Sequence, residues 1–496
     1  MRQRWIALAT LTVLGCSKGA DQPPAASPAA SNPAERIDRV LTTLRGPVEV
    51  VGGANPRWTL AERMAALHIP GVSIAVIDSG RVVWARGFGV KAAGGTDSVT
   101  PRTLFQAASI SKPVTQTGML RLVEQGKLKL DENVNTYLKS WKVPDNKFTA
   151  KEKVTLRRIA SHSAGLTVHG FPGYETSKPL PTVPQILDGT KPANTAAVRV
   201  DTFPGARWSY SGGGTTMAQL IMTDVTGEPF PELMRRLVLE PAGMTHSTYE
   251  QPLPPARASE AAHGHLQDGT EIPGGWHVYP EMGPAGLWTT PTDLAHWLLE
   301  LAADRAGTST KLLSQATAKE MLTVQSGGVG IGPFLEKSGR AFRFGHGGDN
   351  AGFHSEAWMF PETGQGAVVV TNGDNGQALI AEILYAVGAE YGWPDYGPLA
   401  VTPVTLDSGA ARQAVGDYKV TYEKQTLKAA IAARGDTLYV TSTFDKEPER
   451  LIPQSPTDFV GMRLGYRYIL TTSDGKVSGI RIKIGDAFEL VGKKVK

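Results

Sequence analysis

Apolar residues alternate with polar or small ones through residues 69–90, IPGVSIAVIDSGRVVWARGFGV, and the pattern turns around at Asp78-Ser79-Gly80. That predicts two strands joined by a tight turn. Further on the period lengthens to that of a helix, first from Ser109 through QTGMLRLVEQG and again in PTDLAHWLLELAADRAG, where Thr290 or Thr292 stands at the start and Gly307 near the end. Strand patterns return in FRFGHGG, SEAWMFPE and GAVVVTNG, before a last helix at QALIAEILYAVGAEYG. Strands at both ends with helices between them predict an α+β domain, with an antiparallel sheet completed by both ends of the domain, flanked by helices, and a helical subdomain inserted in the middle. WPDYGPLAVTPVT, with Pro394, Pro398 and Pro403, then reads as a linker. Beyond it, turn signals at Arg434-Gly435-Asp436, Asp474-Gly475 and Gly485-Asp486 separate short β-rich runs, which predicts a C-terminal antiparallel β module.

The first residues follow a different pattern. MRQR is basic, WIALATLTVLG is apolar but too short to span a bilayer comfortably, and polar GADQPP follows soon after, the layout of an export signal. The signal ends at VLGC, which resembles a bacterial lipobox and makes Cys16, the chain's single cysteine, the expected point of lipid attachment. Ser17 after it points to the outer membrane. SKGADQPPAASPAASNPAER is rich in Ala, Pro and Ser and reads as a tether. The expected organisation is a signal at 1–15, a tether at 16–36, a globular domain at 37–395 and the β module at 403–496, in a lipoprotein of the cell envelope facing the periplasm.

Charge narrows the partners. Lys and Arg number 51 against 47 Asp and Glu, a net charge of +4, and removing Arg2 and Arg4 with the signal leaves +2. Neither sign is gathered into long runs, so nucleic acid is not an expected partner. No later apolar run is long enough to cross a membrane, which leaves the lipid anchor as the only expected membrane contact.

Candidate chemistry centres on FQAASISKPVTQ, where Ser109 and Lys112 have the Ser-x-x-Lys spacing of enzymes that attack acyl groups with a serine. The spacing recurs at Ser473-Asp474-Gly475-Lys476, which reads as a hairpin turn. Ser109 lies where a helix would begin and Lys112 one turn further on the same face, provided Pro113 falls in the first turn. Such a serine could be a nucleophile beside its base, or a capping serine beside a surface lysine. Spacing alone leaves both open. His263 and His265 lack a Cys or acidic partner at ligand spacing and read as part of an exposed loop, so no metal is expected. SGGGT and GHGGDNAG lack the Lys-Ser/Thr ending of a phosphate loop, and no Gly-x-Ser-x-Gly elbow occurs.

Over residues 37–393 the chain resembles the serine β-lactamase-like hydrolases, which include class C β-lactamases, D-alanyl-D-alanine carboxypeptidases of the penicillin-binding group and esterases. The resemblance rests on PGVSIAVIDSGRVVWARGFGV, TLFQAASISKPVT, IASHSAGL, FPGARWSYSGGGT, GPAGLWTTPTDLAHWL and GHGGDNAGFHSEAWMFPE, all in the family's order. It implies an acyl-enzyme on Ser109, Lys112 as its partner, and Tyr210 shuttling a proton, made acidic by neighbouring cations. The family's Tyr-x-Asn is here Tyr210-Ser211-Gly212, without the asparagine. Its third motif falls on His346-Gly347-Gly348, with backbone N–H groups of Ser109 and Asp349 as an oxyanion hole; Lys337-Ser338-Gly339 reads instead as the turn before that strand. The segment carrying His162 and His169 is given a structural place beside the pocket. No cofactor is implied, and the partner is a small acyl substrate: a β-lactam, a D-amino-acyl peptide or an ester. The alternative is a lipoprotein that keeps the fold and binds cell-wall fragments or a partner without turnover. The β module resembles the lipocalin-like or barrel appendages of some relatives.

Overall fold

The computed structural model describes residues 32–422, 425–443, 447–484 and 488–495. The signal, Cys16 and all but the end of the tether lie outside the described residues. The described residues form two compact units: 61–380, and a second that joins 32–60 with those from 381 onward.

Six strands organise the first unit: β1 (Gly71–Asp78), β2 (Arg81–Gly89), β3 (Phe334–Glu336), β4 (Arg343–Asn350), β5 (Phe353–Phe360) and β6 (Gln365–Thr371). They form one antiparallel sheet in the order β2-β1-β6-β5-β4-β3, so the expected closure by both ends of the domain is the pairing of β1 with β6. Seven of the eight residues of β1 are buried, so its sequence alternation is one of size, with Ser73 and Ala75 as the small positions. β2 is the exposed edge and carries Arg81 and Arg86, the charges that discourage a further strand from adding.

Four of this unit's helices are α1 (Ser111–Glu124), α2 (Gly212–Thr226), α3 (Met282–Ala285) and α4 (Pro291–Ala306). Eleven of the fourteen residues of α1 are buried, the signature of a helix surrounded by protein on every side. Thr290 caps α4 by accepting the Asp293 N–H, and Gly307 ends it at φ +79°. α2 was not legible, because its three opening glycines read as a turn. They are needed for contact: an added Cβ at Gly212 would lie 2.8 Å from Phe171 and one at Gly213 2.7 Å from Val198.

Two expectations are corrected. His265 is fully buried and not in an exposed loop; Asn372 O lies 2.8 Å from its Nδ1, and its Nε2 accepts the Ala93 N–H. The proline-rich stretch is not an unpaired linker, because Leu399–Val401 forms a parallel pair with Val48–Val50. Val48 and Val401 pack with Ile452 and Val460.

That pair belongs to the second unit. Its first helix, Pro33–Thr42, begins inside the expected tether, capped by Asn32 and tied to Glu390 through Arg36 and Arg39 at 3.2 and 2.8 Å. Eight antiparallel strands in sequence order then close a barrel over residues 416–494. Tyr418, Ile431, Phe459, Leu470 and Ile480 fill it, as the bore of a small eight-stranded barrel allows. Ser473 and Lys476 flank its Asp474-Gly475 hairpin turn.

Candidate active site

Ser109 sits in a single 3-10 turn, Ala108–Ile110, that runs into α1, so its N–H is among the first amides of a helical segment and has no intrahelical partner. Pro113 is the third residue of α1, where a missing N–H costs nothing. Ala108 is held at φ +49°, a left-handed conformation that costs a non-glycine residue about 1–3 kcal/mol. Its surroundings hold it there. Ser355 Oγ donates to Ala107 O at 2.8 Å, the Leu287 N–H donates to Ser111 Oγ at 3.0 Å, and Tyr249 donates to Ser111 O at 2.9 Å.

Lys112 is 3% exposed, and its Nζ donates to Ser109 Oγ at 2.8 Å and to Pro284 O of α3 at 3.0 Å. Neither partner carries a charge. Burial therefore lowers the pKa of Lys112 to about 7, which leaves a substantial unprotonated fraction at neutral pH. Ser109 itself is only partly buried and so remains reachable.

Tyr210 precedes α2, whose cap is Ser211: its Oγ accepts the Gly214 N–H at 3.1 Å. The phenol reaches the Ser109 hydroxyl, and Lys112 Nζ lies 5.0 Å from the ring centroid. Burial raises the Tyr210 pKa, the opposite of the acidification expected from neighbouring cations. The physical reason is that the nearest cation, Lys112, is itself pushed towards neutrality by the same burial. The missing asparagine has a steric explanation, since a Cβ at Gly212 would meet Phe171 at 2.8 Å and His169 O at 3.1 Å.

The third side of the site is the edge of β4. Its pairing with β3 ends at Gly345, and beyond that point Gly348 lies against the serine turn. A Cβ at Gly348 would be 2.2 Å from Ala107 O and 3.1 Å from the Ala108 Cβ, so only glycine permits this approach. Asn350 Nδ2 donates to Gln106 Oε1 at 2.8 Å and to Ala285 O at 3.1 Å, fixing the strand to the residues just before that turn and to α3. His346 is buried between the Phe334 ring, at 4.8 Å between centroids, and Tyr210, at 6.2 Å. Burial lowers its pKa to about 3, and Lys112 adds to the effect, so the imidazole is neutral. With Nδ1 2.5 Å from Gly347 O, the proton sits on Nδ1 and leaves Nε2 a buried acceptor with no hydrogen-bond partner among the described residues. Asp349 carries an exposed carboxylate 3.7 Å from His354 Nε2.

The structure thus brings Ser109, Lys112, Tyr210, His346 and Gly348 together, and places Ser473 and Lys476 in the other unit. Lys337 lies in the turn between β3 and β4, at φ +59°. No group of three potential metal ligands occurs among the described residues.

A family model described as Beta-lactamase matches residues 58–389, two thirds of the chain. The protein belongs to the beta-lactamase family. Protein flp of Staphylococcus aureus (strain MRSA252) is 26% identical over 246 residues, 47% of this chain and 45% of that relative, so the chain matches just under half of the relative's length. Among solved structures, the octameric penicillin-binding protein homologue from Pyrococcus abyssi superposes with a TM-score of 0.58 and 22% identity, over 87% of this chain and 98% of that one. The D-amino acid amidase from Ochrobactrum anthropi SV3 complexed with L-phenylalanine amide does so at 0.52 and 22%, over 66% and 97%. At such identities the two structures share the fold with this beta-lactamase family member. His162, which the resemblance gave only a structural place beside the pocket, lies directly against Tyr210. Its ring lies 4.3 Å from that of Tyr210, and the one signal available was its place in SHSAGL beside the motif segments.

Proposed function

We propose that the protein is a serine hydrolase that works through an acyl-enzyme on Ser109. The observation that carries this reading is the 2.8 Å contact between Ser109 Oγ and a buried Lys112 whose pKa is lowered to about 7. Unprotonated Lys112 takes the proton as Ser109 Oγ forms its bond to the substrate carbonyl carbon. The N–H groups of Ser109 and Asp349 stabilise the oxyanion. Tyr210, neutral throughout because its pKa is raised, relays the proton from Lys112 to the leaving oxygen or nitrogen as that bond breaks. Water then attacks the ester, gives its proton back along the same path, and releases the acid with Ser109 restored. His346 stays neutral and buried behind the strand edge at Gly347 and Gly348, where the substrate lies.

Substrate class follows from the groups that the motif positions offer. Gly212 has no side-chain amide to bind a substrate amide, and neutral His346 gives no permanent charge for a substrate carboxylate. Both differences favour uncharged acyl substrates, small esters first, over penicillins. In the cell we place the enzyme in the envelope, held by a lipid on Cys16.

The test is intact mass spectrometry of the chain from Ser17 onward, wild type beside Ser109→Ala, with a penicillin, a cephalosporin and an activated short-chain ester in parallel. An adduct or turnover with the ester that vanishes in the variant is the expected result. If the folded wild type gives neither with any of the three, the hydrolase reading fails and the binding lipoprotein replaces it.

A further inference from the structure

We infer that His162 is the positioning residue for Tyr210, holding the phenol on Ser109 by gripping the residue on either side of it as well as the ring itself. The inference rests on the proposed role of Tyr210 and extends it to a residue that acts through Tyr210. Three contacts carry it. The Ser209 N–H donates to His162 O at 2.7 Å, the Ser211 N–H donates to His162 Nδ1 at 3.2 Å, and the two rings lie 4.3 Å apart, tilted by 39°. Three consecutive residues, 209 to 211, are thus fixed by one side chain and its own carbonyl.

Such a grip dictates the state of the imidazole. Nδ1 accepts a hydrogen bond, so the neutral ring carries its proton on Nε2, and a second proton on Nδ1 would face the Ser211 N–H donor to donor. Burial and the nearness of Lys112 hold the pKa well below the usual histidine range, so the acceptor is present at all working pH values. The backbone is arranged for the same purpose. His162 is held at φ +56°, and the neighbouring carbonyls of Ser163 and Gly165 accept the N–H groups of Gly205 and Asp201, which docks the rest of the loop that carries Tyr210. A histidine placed only to fill space needs neither a strained backbone nor an acceptor aimed at the residue after the phenol.

The experiment is a double-mutant cycle in the full chain with the activated short-chain ester as probe, reading kcat, KM and the melting temperature. His162→Phe keeps a ring and loses the acceptor. His162→Asn keeps an acceptor near the Nδ1 position and suits a left-handed backbone. Tyr210→Phe alone is expected to lower kcat by about 100-fold or more. His162→Phe is expected to lower kcat by about 10- to 100-fold with KM unchanged, and to have no further effect in the Tyr210→Phe background. His162→Asn is expected to retain more of kcat than His162→Phe, and it carries the cycle if the Phe variant does not fold. An equal loss in both backgrounds, or wild-type kcat in both His162 variants, overturns the inference. Wild-type kcat in Tyr210→Phe overturns instead the role given to Tyr210, so the two failures are told apart.

Discussion

The chain contains Ser-x-x-Lys twice, and the two copies differ in everything except spacing. At Ser109 the lysine is 3% exposed, its partners are a hydroxyl and a carbonyl, and burial takes its pKa to about 7. At Ser473 the serine and Lys476 are exposed and face each other across a hairpin turn of the barrel. A serine becomes a candidate nucleophile when the fold removes its lysine from water. Spacing only permits that.

The largest expected effect tests this contrast directly. Ser109→Ala is expected to lower ester turnover by about 1,000-fold or more, the scale of removing a nucleophile. Ser473→Ala is expected to leave turnover within about twofold, as an exposed hairpin substitution should. Comparable losses in both would erase the distinction. Turnover in the folded variants, normalised to melting temperature, is the measurement.

Acid–base behaviour sharpens the contrast next. Because the unprotonated amine is the base, kcat/KM should rise with pH through about 7 and then level off, with the protonated fraction below that point inactive. Neither His162 nor His346 should add a limb near neutral pH, since both are held low by burial. Glu356 and Glu281 are buried carboxyls raised to about 7 and about 8, and they are the groups most easily confused with Lys112. The limb should therefore persist in both Glu356→Gln and Glu281→Gln. Its disappearance in either would reassign the titration.

How much of this was readable beforehand depends on whether a signal was local. The β1–β2 hairpin, the cap and stop of α4 and the order of the motif segments are local patterns, and each yielded its element. α2 was hidden because Gly212, Gly213 and Gly214 are poor helix formers, accepted there because Phe171, Val198 and Leu166 crowd them. The burial of His265 depends on Asn372 and Ala93, both far along the chain, and the pair 48–50 with 399–401 joins segments some 350 residues apart. The direction of the Tyr210 shift was misjudged for the same reason. Counting cations nearby does not reveal that burial has pushed the nearest of them towards neutrality.

Glycines give an intermediate effect with a matched control. Gly348→Ala puts a Cβ 2.2 Å from Ala107 O, so the serine turn or the β4 edge must move. A displacement of that order is expected to cost about 10- to 100-fold in kcat/KM. Gly475→Ala, at φ +71° beside the other lysine with none of the described residues within 4 Å of the added Cβ, is expected to cost about 1 kcal/mol of stability and no activity. Turnover and melting curves of the pair decide it. An active Gly348→Ala enzyme would remove the reason given for glycine at that strand edge.

The smallest effect reads the contrast through stability. Taking Lys112 out of water lowers its pKa from the 10.4 of a free lysine to about 7, so the unfolded chain binds the proton more readily than the folded one. The resulting penalty is fully present below pH 7 and fades as pH rises towards 10. Lys112→Met removes the penalty, along with the hydrogen bonds to Ser109 and Pro284, and is expected to stabilise the fold by about 1–2 kcal/mol at pH 7. That advantage should shrink in denaturant melts carried out at rising pH. Lys476→Met, at an exposed turn, should stay within about 0.5 kcal/mol at every pH. A Lys112→Met variant less stable than wild type, with no dependence on pH, would mean that the buried lysine is held there by its contacts and not at the expense of the fold. The low pKa would then no longer mark a site where stability is given up for chemistry.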